Sequence, residues 1–215
     1  MGRCRRLAGL IGALAVMAVL ARAAEAAPAR VIIIRHAEKP ATGGDLLVPQ
    51  GVCRADALAK TFPAQFGTPA AIYAMNPNDA DGSMRPIETV TPLADSLGLA
   101  IDHDYTRKKL SQLVQDIMGN DSYQGKLILI CWEHKVIPDL VQAFQDNGWN
   151  SNSATWPGKW SGDIFDQAWI LSFSGSPSFQ IIPENIPQDS LNGDCPLSDV
   201  KSTSQATQDS SGAKP

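Results

Sequence analysis

The chain has 215 residues and a formal net charge of −4, enough length for one domain of ordinary size with a real core. Residues 1–26 hold four of its 18 basic and one of its 22 acidic residues, so the remainder has 14 basic and 21 acidic side chains and a net charge of −7. So acidic a chain is a poor partner for nucleic acid or an anionic membrane surface, and any anion it binds needs a local cluster of cations.

Arg3, Arg5 and Arg6 precede an apolar stretch over residues 7–20, and two Ala-x-Ala sites follow at Ala21-Arg22-Ala23 and Ala24-Glu25-Ala26. This is the layout of a signal peptide over residues 1–26, too short in its apolar part to span a membrane comfortably. The expected location is secreted or periplasmic, with no membrane attachment after cleavage. Cys4 precedes the apolar segment and is not placed for lipid attachment. Export would put Cys53, Cys131 and Cys195 where disulfides form. The number is odd, so at least one thiol is free or pairs between chains. Cys131 lies in an apolar run and is expected as a buried thiol, and Cys53 with Cys195 is the one pairing worth considering. There is no Cys-x-x-Cys spacing for a zinc ribbon or redox motif.

Residues 31–34, Val-Ile-Ile-Ile, predict a strand buried on both faces, as at the centre of a parallel sheet. The run stops at Arg35-His36-Ala37-Glu38-Lys39. Ligands of open α/β sheets bind beyond the carboxyl ends of strands, so this end is a candidate for anion chemistry. A basic surface turn after a core strand is the plainer alternative. Residues 43–49 are loop-like, and residues 51–66 carry a helical pattern through Cys53, Ala57, Leu58 and Phe62, with Pro63 expected to bend or end it.

A second strand is predicted over 70–75 and a polar loop over 78–84. A helix follows from Arg85-Pro86 to Gly98, with Pro suited to its first turn and Gly to its end. Arg85 thus stands at a helix N-terminus, where a cation is unfavourable by about 0.3 kcal/mol or more unless an anion arrives. Residues 102–105 read as a polar link, and residues 109–118 as an amphipathic helix with Leu110, Leu113, Val114 and Ile117 on one face.

Residues 127–132 form a second strongly buried strand that also ends in charge, at Glu133-His134-Lys135. Ile137-Pro138 opens a helix that runs to about Asp146. Trp156, Trp160 and Asp163 belong to an aromatic loop that either walls a pocket or buries ring surface at the sheet edge. Residues 168–173 and 179–182 predict a terminal strand pair, and residues 198–215 a disordered tail rich in Ser, Gln and Asp. The domain should therefore cover residues 27–197. Alternating strands and helices predict a three-layer, doubly wound α/β fold, its mostly parallel sheet covered by helices on both faces.

Two of the three histidines, His36 and His134, thus end buried strands, with Arg35 and Arg85 on neighbouring loops. Two guanidinium forks and two imidazoles can cradle a tetrahedral phosphate, and one imidazole can attack its phosphorus. His103, between Asp102 and Asp104, reads as a solvated loop histidine. A metal-dependent hydrolase is the weakest rival, because His36, His103 and His134 are the only histidine ligands available.

The motifs resemble those of the histidine phosphatase superfamily, the phosphoglycerate-mutase-like fold. Its Arg-His-Gly-Glu signature appears as Arg35-His36-Ala37-Glu38. Its Arg-x-x-Glu-Thr signature appears as Arg85-Pro86-Ile87-Glu88-Thr89, followed by Pro92-Leu93-Ala94 and Leu97-Gly98-Leu99. The third signature is a strand ending in histidine, here His134.

The resemblance implies an α/β phosphohydrolase without metal or cofactor, acting on a small phosphate monoester through a phosphohistidine at His36. Arg35, Arg85 and His134 would bind the phosphoryl group, with Glu38 and Glu88 in the substrate-binding set as groups that orient it. The family commonly has Ser or Thr before the third-motif histidine and Gly after it, where this chain has Glu133 and Lys135. Glu133 is a candidate general acid by adjacency to His134, and Asp104 is its competitor. A phosphomutase of the same fold and a phosphate- or phosphoprotein-binding module without turnover are the rival functions.

Overall fold

The structure is a computed structural model that describes residues 27–78, 83–149, 151 and 154–192. The expected signal peptide, the expected tail over 198–215 and Cys195 lie outside the described residues. Cys53 is disulfide-bonded, and Cys131 is a buried free thiol.

The β-branched run at the start folds as β1 (Arg30–Arg35), whose last five residues are all buried. Then come α1 (Pro49–Phe66), β2 (Ala71–Ala74), α2 (Arg85–Leu97) and β3 (Ile101–Asp102). The second half holds α3 (Leu110–Gly119), β4 (Leu127–Trp132), α4 (Ile137–Asp146), β5 (Gln167–Ser172) and β6 (Ser178–Pro183). The six strands make one sheet in the order β3-β2-β4-β1-β5-β6. The first four are parallel, and β5 and β6 add an antiparallel edge.

Side chains alternate across this sheet and divide the core in two. Ile32 and Ile34 of β1, with Leu129 of β4, face Leu58 and Phe62 of α1 and Val90 and Leu93 of α2. Val31 and Ile33, with Ile128 and Ile130, face Leu113 and Ile117 of α3 and Leu140 and Phe144 of α4. The fold is thus the expected three-layer α/β arrangement. The chain steps outward from β1 through α1 and α2, then returns through α3 to place β4 beside β1. Right-handed crossovers stepping in opposite directions put their helices on opposite faces. Each aliphatic side chain wholly buried in this way contributes ~1.5–3 kcal/mol.

Three local features refine the sequence reading. The helical pattern expected over 51–66 is α1, which passes through Pro63 to Phe66 and closes where the Gly67 N–H meets the Pro63 carbonyl at 3.0 Å. The proline forfeits one ladder bond in the last turn, while Phe62 and Phe66 are buried with their rings 4.9 Å apart. The polar link after residue 100 holds the short edge strand β3, where Ile101 pairs with Ile72 and Asp102 with Tyr73. Two residues are too few to show a period. Beyond β6, where apolar periodicity ends, Glu184, Ile186 and Leu191 are nonetheless buried. Among the described residues no helix is long and apolar enough to cross a membrane.

Gly51, near the start of α1, fixes how closely that helix approaches the loop after β1. A Cβ there would stand 2.5 Å from the Glu38 carbonyl oxygen and 3.0 Å from the Glu38 nitrogen. Gly51→Ala should therefore lower stability by about 1–3 kcal/mol, read as a lower urea midpoint. Gly119→Ala, with nothing within 4 Å of the added carbon, is the control and should leave the midpoint unchanged or raise it slightly. Equal midpoints for the two variants would contradict the close approach.

Candidate active site

β1 and β4 lie side by side with Arg35 opposite Trp132, so both charged strand ends emerge on one edge of the sheet. The ladder continues one residue further, because the His36 N–H bonds the Trp132 carbonyl at 3.0 Å. His36 is buried, and its Nδ1 lies 2.7 Å from the Ala37 carbonyl oxygen. A carbonyl only accepts, so Nδ1 carries the proton and Nε2 keeps a free lone pair. Burial pushes the His36 pKa down to about 3, against the opposing pull of the Ala37 carbonyl; Arg35, Arg85 and His134 push the same way as burial. At neutral pH this imidazole is uncharged.

Arg35 precedes it with only 1 % of its surface exposed. Its Nη1 donates to the carbonyls of Gly162 and Ile164 at 2.7 and 2.9 Å. Its guanidinium carbon stands 3.7 Å from the centre of the Phe165 ring, a cation–π contact. Burial lowers its pKa to about 10, with Glu38 and Asp163 opposing and Arg85 assisting, so it remains a cation at neutral pH. Its Nε and Nη2 are buried with no hydrogen-bond partner.

Arg85 is the first residue of α2, and its Nη1 donates to the Gly44 carbonyl at 2.7 Å while its buried Nε has no partner. One hydroxyl ties this helix start to the loop that carries His36. Thr89 Oγ1 donates to the Arg85 carbonyl at 2.7 Å and accepts the Ala37 N–H at 2.9 Å. His134 stands two residues beyond β4, half-buried, with a buried Nδ1 that has no partner. Gly162 lies against it, since a Cβ at that glycine would be 3.7 Å from His134 Nε2. Burial first, then Arg35, Lys135, Lys39 and Arg85, push the His134 pKa down to about 4.

The carboxylates divide by position. Glu133 is half-buried beside His134, with Oε1 3.6 Å from Arg107 Nη1. Asp104 is exposed, and its N–H bonds the side chain of Asp102 at 3.1 Å. Glu38 points into the protein, where Arg54 donates to it from both Nε and Nη2, the latter at 2.6 Å. Glu88 Oε2 accepts the Leu47 N–H at 2.8 Å, and burial raises its pKa against the pull of that bond and of Arg85. Glu38 and Glu88 therefore hold the loop between β1 and α1, while Arg35, His36, Arg85 and His134 gather at the strand ends.

Sequence reasoning missed the residues that support these four. Arg54 shares the buried face of α1 with Leu58 and Phe62, and a lone basic residue at that spacing is the signal that could have revealed it. Phe165 and the carbonyls of Gly162 and Ile164 leave no such signal, because their role depends on a loop returning from a distant part of the chain. Among the described residues no three His, Cys, Asp or Glu side chains are grouped as metal ligands.

No protein-family model and no curated protein matches the chain. Several solved structures are similar to it in fold. The protein histidine phosphatase SixA complexed with tungstate is 15 % identical with a TM-score of 0.47, over 72 % of this chain and 97 % of that one. A phosphoglycerate mutase of Plasmodium falciparum is 14 % identical with a TM-score of 0.42, over 72 % and 90 %. A mutant phosphoserine phosphatase of Entamoeba histolytica in complex with phosphoserine is 13 % identical with a TM-score of 0.44, over 73 % and 98 %. The likeness to each of these is one of fold.

The two depressed histidines link folding to pH. In the unfolded chain they titrate near 6.5, and in the folded one near 3 for His36 and near 4 for His134. Between those values the unfolded state binds more protons, so the contribution is complete above about pH 6.5 and is lost as pH falls toward the folded values. The melting temperature should drop on acidification through this window, and less steeply in His36→Gln. Parallel profiles for the two proteins would exclude a buried neutral histidine at position 36.

Proposed function

We propose that this chain is an exported phosphohydrolase that cleaves phosphate monoesters without a metal, through a phosphohistidine on His36. One observation carries the reading. A neutral histidine with its Nε2 lone pair free lies among Arg35, Arg85 and His134, which have four buried nitrogens without partners. Buried donors normally find acceptors, so these fit a ligand rich in acceptor oxygens. A phosphate dianion matches the two guanidinium charges, whereas a neutral ligand would leave both uncompensated.

In this chemistry His36 Nε2 attacks phosphorus as the ester P–O bond breaks. The electron pair leaves with the alcohol oxygen, which takes a proton from the Glu133 carboxyl. Arg35, Arg85 and His134 hold the remaining phosphoryl oxygens. Water then attacks the phosphohistidine and gives its proton to Glu133, the P–N bond electrons return to Nε2, and inorganic phosphate departs. Glu133 is favoured over Asp104 as proton carrier because it is half-buried next to His134, whereas Asp104 is exposed. Export is supported by the basic, apolar and small-residue segments over residues 1–26 and by the disulfide at Cys53, a bond characteristic of oxidising compartments.

Phosphohistidine is labile to acid and stable to base. Base quenching during turnover of a phosphorus-labelled ester should trap label on the protein, acid should release it, and peptide mapping should place it at His36. His36→Ala should abolish label and turnover together, and turnover that persists in this variant would sink the mechanism. A wild type that binds phosphate but never turns over would make the chain a binding module.

Glu133→Gln should slow esters with poor leaving groups by about 10²-fold or more while affecting an activated aryl phosphate much less. Equal losses on both substrates would remove Glu133 from the role, and Asp104→Asn in the same assay tests its competitor.

A further inference from the structure

We infer that the mouth of this site selects phosphate esters bearing a second anionic group, which Lys39 and Lys135 hold. The inference rests on the phosphohydrolase reading and concerns its substrate class. Because β1 and β4 run parallel in register, the segments leaving them form one rim. Lys39 stands three residues beyond His36 on one segment, and Lys135 directly follows His134 on the other. Both lysines are exposed, and neither forms an ion pair with a described residue. Both also act on the His134 imidazole through their charge, which places them within electrostatic reach of the cradle.

The charge count decides what they are suited to. Arg35 and Arg85 have buried nitrogens without partners for a scissile phosphate, whereas the two exposed lysines stand outside that enclosure and are left for another group. Beyond the first 26 residues the chain has a net charge of −7, yet here two ammonium groups with no ion pair among the described residues lie within electrostatic reach of the site that holds two arginines. Like charges gathered this way repel until an anion arrives. Among the described residues the carboxylates near the rim are directed elsewhere: Glu133 faces Arg107 at 3.6 Å, and Asp163 acts on Arg35. A carboxylate or second phosphate on the alcohol portion of the ester would supply that anion.

Benzyl phosphate and 4-carboxybenzyl phosphate offer the same scissile group with and without that second charge. Wild-type protein should prefer the carboxylated ester by about tenfold in kcat/KM, the size that two exposed ion pairs supply together. The preference should sit mainly in KM, shrink as salt is raised, fall to near one in the Lys39→Ala/Lys135→Ala double variant, and return in the Lys39→Arg/Lys135→Arg variant. A wild-type ratio near one, or a ratio unmoved by the alanine pair, would overturn the assignment. If neither ester is turned over, the phosphohydrolase reading is what fails. Calorimetric titration of the two esters then decides the second-anion site: a binding preference lost in the alanine pair upholds it, and equal affinities refute it.

Discussion

The arrangement depends on keeping one guanidinium charged where water scarcely reaches it. Arg35 ends the central strand of the sheet, and an isolated ion there would lose several kcal/mol of solvation. The surrounding chain is arranged to offset that loss. Gly162 and Ile164 turn their carbonyls toward Nη1, Phe165 lies against the guanidinium plane, and Glu38 and Asp163 add negative potential. The aromatic loop is therefore more than packing at the sheet edge. Trp160 stacks on Trp169 at 5.1 Å and donates from Nε1 to the Ile164 carbonyl at 2.9 Å, the same oxygen that receives Arg35. Core aromatics thus fix the position of an acceptor that the central charge requires.

A second buried charge group lies behind the first. Arg54 reaches from α1 to Glu38 and stands 3.9 Å from Glu184, just beyond β6. Burial disfavours its charge, but hydrogen bonds and charge from Glu38, with Glu184 and Asp166, hold Arg54 cationic. Glu184 is enclosed enough that burial raises its carboxyl pKa well above the ordinary range, against the pull of Arg54. Replacing Glu38 would leave the buried Arg54 without its close counter-charge, at a cost of ~3–5 kcal/mol. The group joins the loop after β1, the first helix and the chain beyond the last strand, so the loop that carries His36 is held from separated parts of the sequence.

The sequence displayed the parts of this fold that rest on local pattern. Val31 to Ile34 and Leu127 to Ile130 are long apolar runs that read as central strands, and the charges after them marked the sheet edge where Arg35, His36 and His134 stand. Pro86 and Gly98 bracketed α2 as their backbone preferences require. What stayed hidden depends on tertiary pairing. Glu38 as part of a motif gives no hint that its partner is Arg54, sixteen residues on, nor that Glu184 would be enclosed after the apolar pattern ends. Pro63 does not end the helix early because its helix-breaking preference near a C-terminus is weak beside the burial of Phe62 and Phe66. The carbonyls of residues 162 and 164 were invisible in principle, since every residue has one and only the returning loop gives these two a role.

The depressed pKa values of His36 and His134 and the persistent charge of Arg35 have a consequence for how the site responds to its surroundings. Well inside the window between about pH 4 and about pH 10 these three side chains each keep one protonation state in the free protein. Their contribution to the cradle's electrostatic potential is therefore constant across almost any compartment the chain could occupy. A phosphate monoester loses its second proton near pH ~6. Under the proposed chemistry the ligand thus carries acidity information: the same three side chains in unchanged protonation states would meet a monoanion in acidic surroundings and a dianion in neutral ones.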